Sequence, residues 1–173
     1  MACSVQNDLI GKAVLVNPEN LLISTKTPSK FAELYRTVIC TPVIGTFLYN
    51  IMVNKKAIEK DFRLDYYYDQ NKITEKDIMY FYEASQKHHT KGKYLYANIN
   101  SGFTNTNIIH GLRNITQPIY IFTGKENPEN ILAANQYQNY LPDTHIVELE
   151  KTKRFPHMER PEYFIDNLES LYL

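Results

Sequence analysis

The stretch Lys153-Arg154-Phe155-Pro156-His157-Met158-Glu159-Arg160-Pro161 sets a histidine beside carboxylate and guanidinium groups in one loop bracketed by prolines. An imidazole moves protons near neutral pH, so His157 is the first candidate for a general base. Nucleophilic acyl chemistry would also need a nucleophile, and a carboxylate to orient that base and stabilise its cation. Cys3 and Ser4 have nucleophilic side chains, but neither lies on a strand-to-helix elbow. His88 and His89 are adjacent, so on a helix they point about 100° apart and cannot share one metal face. Without cysteines or carboxylates at ligand spacing, no metal is expected. His110 and His145 stand alone and read as structural or exposed residues. The glycines form no phosphate-cradling loop, so no nucleotide cofactor is expected either.

The elements that must position these residues read as an alternating pattern. Lys12 to Asn17 is a continuous apolar run closed by Pro18, which predicts a strand buried on both faces and therefore parallel. Glu19 to Lys26 reads as a loop. From Ser29, a plausible N-cap, Phe31, Leu34, Tyr35 and Val38 recur at helical spacing. A second helix is predicted from about Pro42 to Val53, and a third from Lys55 to Tyr67. Thr74-Glu75-Lys76-Asp77 resembles a capping box opening a helix through Ser85. Lys91 to Asn100 is read as helical, ending at Gly102, and Asn107 to Asn114 as a short helix. Pro118 to Gly124 predicts a second buried strand, Asn130 to Tyr140 a helix, and Thr144 to Leu149 a strand nearer a sheet edge. A last helix starts near Pro161. Met1 to Gln6 reads as a stub of helix.

Composition narrows the classes. A chain of 173 residues suffices for one domain with a real core. Its 19 basic and 19 acidic residues cancel and are scattered, so no field of one sign points to nucleic acid or an anionic membrane. Cys3 and Cys40 form neither a disulfide framework nor a metal pattern, and no signal peptide is evident, so a cytoplasmic location is expected. Thr37 to Asn54 lacks charge but is interrupted by Pro42 and Gly45. Two short buried helices are expected there rather than a membrane span. Of the 14 tyrosines, many fall between Tyr66 and Tyr96, suggesting amphipathic packing or a pocket wall.

The order strand, helical insertion, strand, helix, strand, helix resembles the C-terminal half of an α/β-hydrolase-fold protein. Four segments carry the resemblance. Ala13 to Pro18 is similar to the family's sixth strand and its Asn-Pro turn, and the insertion sits where the family places its cap. Ile115 to Pro128 resembles the seventh strand and acid loop. Lys153 to Pro161 resembles the histidine loop, written in the family Gly-His-x-Pro-x-x-Glu-x-Pro. The implied fold is a short parallel sheet of about three strands flanked by helices. Residues 1–28 and 103–173 would form the α/β core remnant, and residues 29–102 a helical cap or lid.

The resemblance also implies site residues, and several depart from the pattern. The family's histidine position falls on Arg154, a permanent cation that cannot act as a base. His157 matches a variable position three residues later. The family's acid position falls on Asn127; Glu126, one residue before it, and Glu19, after the first strand where some members keep their acid, are alternative carboxylates, although glutamate is more often simply solvated. The nucleophile pentapeptide Gly-x-Ser-x-Gly does not occur in the sequence. The expectation is a portion of an ester or acyl hydrolase that is inactive as this chain, its upstream strands lying in a longer frame. The alternative is a non-catalytic relative that binds a ligand or partner. A small apolar or ester-type molecule is the expected ligand, with no nucleic acid and no membrane. The exposed edge of the Ala13–Val16 strand is expected to pair with another chain.

Overall fold

A computed structural model describes residues 2–5, 9–87 and 91–171. His88 and His89, and part of the predicted N-terminal helix, fall outside the described residues. The chain divides into two compact units, one made of Met1–Ser24, Asp65–Lys72 and Asn107–Leu173, the other of Thr25–Leu64 and Ile73–Thr106.

The first unit opens with α1 (Ala2–Val5), β1 (Ala13–Val16) and α2 (Leu21–Ser24). The helical turn α2 lies inside the segment expected to be a loop. Asn20 induces it, its Oδ1 accepting the backbone N–H of Leu22 at 2.9 Å and of Ile23 at 3.3 Å. Leu21, now on the inner side of that turn, enters the core.

The second unit holds α3 (Lys30–Cys40), α4 (Ile44–Met52), α5 (Lys55–Asp61), α6 (Glu75–Gln86) and α7 (Gly92–Asn100), and no strand among its described residues. Ser29 caps α3, its side chain accepting the Ala32 N–H at 3.2 Å. Thr74 and Asp77 close a reciprocal capping box at α6. A short stretch of wider helical winding, Phe62–Tyr66, continues α5, so the predicted third helix runs on in altered form. Phe62 is fully buried, its ring edge-on to Phe81 with centroids 4.9 Å apart. α3 turns into α4 over Gly45, where a Cβ would overlap the Ile39 carbonyl oxygen. Lys93 reaches this corner from α7 with its side chain buried, donating to the Thr41 carbonyl at 2.7 Å and to Thr46 Oγ1 at 2.9 Å. The ammonium thus satisfies oxygens left without a partner where α3 ends.

The charge-free run Thr37 to Asn54 does form two helices, but they are amphipathic rather than buried. Ile39 and Tyr49 face inward while Val43, Ile44, Phe47 and Ile51 are exposed. No helix among the described residues is long and apolar enough to cross a membrane.

The chain re-enters the first unit for good with α8 (Ile109–Leu112), β2 (Ile119–Gly124), α9 (Pro128–Gln138), β3 (Thr144–Leu149), α10 (Pro156–Glu159) and α11 (Pro161–Glu169). The three strands form one parallel sheet ordered β1-β2-β3. Ala13 stands opposite Ile119, and Ile119 opposite Thr144, so the carboxyl ends of all three strands come out on one side. β2 is buried as its unbroken apolar run predicts. β1 is only half-buried, with Val16 exposed, because among the described residues it pairs on one side alone. α9 starts two residues before the predicted Asn130, because Asn127 caps it and Pro128 supplies a preset first turn. Leu21, Leu112, Ile121, Ala134, Tyr137 and Leu141 form the heart of this unit's core.

Candidate functional site

The carboxyl ends of β1, β2 and β3 carry the three loops that hold the sequence candidates. Asn17, the residue after β1, adopts a left-handed conformation with φ 43°. Its side chain then faces both neighbouring loops. Oδ1 accepts the Gly124 N–H at 3.1 Å, and Nδ2 donates to the carbonyls of Lys153 at 3.2 Å and Arg154 at 2.7 Å. The loop after β2 is joined to the loop after β3 by backbone bonds from Lys125 N–H to Leu149 at 3.0 Å and from Glu126 N–H to Thr152 at 3.1 Å. Gly124 lies so close to Lys153 that a Cβ would overlap its carbonyl oxygen. The backbones of the loops after β2 and β3 are therefore in direct contact.

The side chains on these loops do not assemble into a base and its orienting acid. Asn127 turns its Oδ1 to the Glu129 N–H at 3.1 Å and serves as the N-cap of α9. Glu126 is exposed. Arg154 is exposed as well, donating its backbone N–H to the Tyr66 carbonyl at 3.1 Å, with its guanidinium 6.0 Å from the Tyr66 ring. His157 lies in α10 with its ring edge-on to Phe155 and Phe164, each 6.0 Å away between centroids. Desolvation against those rings lowers its pKa, which favours the neutral form that a base needs. Among the described residues no group hydrogen-bonds its imidazole, so neither tautomer nor orientation is fixed. Glu19 is exposed, and its carbonyl accepts the Tyr137 hydroxyl at 3.3 Å.

The remaining candidates are accounted for locally. His145 pairs with Asp143 at 3.0 Å and stacks on Tyr120, while His110 is exposed. Cys3 and Cys40 are free thiols, and Cys3 packs against the core. No group of three potential metal ligands comes together among the described residues.

Glu159 is the residue whose role the sequence did not announce. Its side chain is 1 % exposed, and its Oε2 accepts the Tyr68 N–H at 2.7 Å. Burial raises its pKa, against the pull of the Tyr68 and Lys153 backbone N–H groups and the nearby Lys72 and Lys153 charges. Together with the bond from Arg154 to Tyr66 and the packing of the Tyr66 and Phe155 rings at 4.7 Å, this carboxyl fastens residues 65–72 to the histidine loop. The signal available in the sequence was its fixed place in the loop pattern, six residues after Lys153.

No protein-family profile and no curated protein matches the chain. Solved structures do. The chain is similar to Cfl2 from Burkholderia cenocepacia at a TM-score of 0.70 and 7% identity, covering 99% of this chain and 60% of that one. It is similar to a probable hydrolytic enzyme from Pseudomonas aeruginosa PAO1 at a TM-score of 0.67 and 13% identity, covering 97% and 57%. The epoxide hydrolase CorEH matches at a TM-score of 0.62 and 16% identity, covering 98% and 62%. At such identities the likeness is one of fold, and the chain spans about 60% of the length of the structures it resembles.

Proposed function

Because this chain has the C-terminal part of an α/β-hydrolase fold, with three parallel strands flanked by helices, we propose that it supplies the helical cap (residues 29–102) and the acid- and histidine-side loops of an ester or acyl hydrolase, and that it is not catalytic by itself. The observation that carries this reading is His157, whose neutral imidazole has no carboxylate to orient it among the described residues. Arg154, at the family's histidine position, is a cation at any accessible pH. Asn127, at the acid position, is engaged in capping α9 and carries no charge to stabilise an imidazolium. The 173 residues contain no Gly-x-Ser-x-Gly. Two free thiols fit a reducing, cytoplasmic setting. The test is turnover of p-nitrophenyl acetate and butyrate by this chain and by His157→Ala. The expected result is no turnover above the buffer blank for either. Turnover that the single substitution abolishes would overturn the reading.

A second reading is favoured by one observation. β1 pairs with β2 on one side and with no strand on the other among the described residues, leaving a row of backbone donors and acceptors. In that reading the chain is a non-catalytic relative whose β1 edge takes a strand from another chain. Sedimentation analysis separates the two: self-association lost on replacing Val14 by proline supports the edge as an interface.

A further inference from the structure

Two adjoining concavities on the first unit share Lys72 and Arg160. One, of about 650 Å³, is lined by residues 68–72 with Lys151 and Arg160. The other, of about 410 Å³, is lined by Lys72, Arg160 and residues 161–163. Both volumes lie in the range of small-molecule sites.

Three cations meet there, and none of them forms an ion pair among the described residues. Lys72 Nζ donates to the carbonyl of Glu159 at 2.9 Å, and Arg160 Nη1 to the carbonyl of Glu150 at 2.9 Å. These bonds hold the heads in place without neutralising them. Lys151 Nζ has no hydrogen-bond partner among the described residues. Two carboxylates, Asp69 and Glu162, line the same concavities, and Glu150 lies close enough for Lys151 and Arg160 to lower its pKa. Glu150 pairs with Lys125 at 3.0 Å, and Asp69 Oδ1 accepts the Asn71 N–H at 3.0 Å. Glu159 is buried against Tyr68, and Glu162 is exposed in the first turn of α11, where a negative charge is favourable. Lys72, Lys151 and Arg160 against Asp69 and Glu162 leave the lining of the two concavities with one positive charge in excess.

The Lys151 backbone holds φ 54°, a conformation that glycine or asparagine adopts more cheaply.

We infer that this cleft binds the phosphate group of a soluble phosphate monoester. The Arg160 guanidinium offers a planar fork of donors for two phosphate oxygens, and the two ammonium groups supply compact charge beside it. Tyr163, stacked 4.2 Å beneath the guanidinium carbon, fixes the plane of that fork. The half-exposed Tyr68 ring forms a wall for the organic part of the ligand. This site stands apart from the hydrolase reading and does not depend on it.

The experiment is calorimetric titration of the 173-residue chain with inorganic phosphate and with phenyl phosphate, each against chloride at matched ionic strength. Saturable one-site binding is expected, tighter for phenyl phosphate, and weakened at least about tenfold in both Lys151→Gly and Arg160→Gln. Lys151→Gly relieves the left-handed backbone, so its thermal midpoint without ligand stays at or above that of the parent, and its lost affinity reports on the ammonium. Absence of saturable binding, or unchanged affinity in either variant, overturns the proposal. So does sedimentation with phosphatidic acid vesicles in the absence of any response to the soluble phosphates.

Discussion

The side-chain amide of Asn17 donates to the carbonyl of Arg154 at 2.7 Å, across 137 positions of sequence. The same side chain accepts from Gly124 and donates to Lys153, so one residue after β1 ties both loops that follow β2 and β3. Asparagine fits the post uniquely well. It tolerates a left-handed backbone and carries both a donor and an acceptor, whereas aspartate lacks the donor and glycine lacks both.

Asn17→Ala is therefore expected to lower the unfolding free energy by about 2–4 kcal/mol, from lost bonds and polar groups left without a partner. Asn17→Gly also loses the bonds but relieves the left-handed backbone, so it should fall between alanine and the parent. Urea denaturation measures the order. An alanine variant as stable as the parent would remove Asn17 from its place as the tie.

Glu159 gives a pH signature. Its folded pKa is raised, so above the ordinary value of about 4.3 the folded chain holds a proton that the unfolded chain has released. Stability from this group is fully present at lower pH and declines as pH rises through the raised value. Glu159→Gln, neutral throughout and still able to accept from Tyr68, should show no such decline relative to the parent. Denaturation curves for both proteins across the acid range decide it. Parallel profiles would mean that the carboxyl ionises as freely in the fold as outside it.

His157 acts in the opposite sense. Partial desolvation beside Phe155 and Phe164 lowers its folded pKa, so the unfolded chain binds more protons just below the ordinary value of about 6.5. Stability from this group is present above that value and is lost as pH falls through the window. Proton NMR of the imidazole should give a midpoint below the ordinary value, and His157→Gln should flatten this limb. A midpoint at or above the ordinary value would contradict the desolvated ring.

The strands and most helices were legible in the sequence because each is set by neighbours in the chain. The apolar runs at Ala13 and Ile119, the cap at Ser29 and the Thr74–Asp77 box all act within a few residues. The family frame, Phe155-Pro156 through Glu159-Arg160-Pro161, located the loop correctly. The less legible parts depend on distant partners. The half-burial of β1 follows from its edge position, which periodicity does not encode. Asn127 matched an acid position by alignment, yet its side chain obeys the helix it starts. Lys93 and Glu159 are drawn inside by partners at Thr41 and Tyr68, far along the chain. Residues 65–72 lie within the helical insertion along the chain and group with the first unit by their contacts.

That threading sets a timetable for synthesis. Thr25–Leu64 and Ile73–Thr106 are complete when Thr106 is made, so the helical unit can close while translation continues. The other unit must wait for almost the whole chain, since Lys12 Nζ finds its acceptor at Leu171, 159 positions later. Until β2 emerges, β1 travels without the strand it pairs with, the interval in which a chaperone holding the nascent chain would matter most.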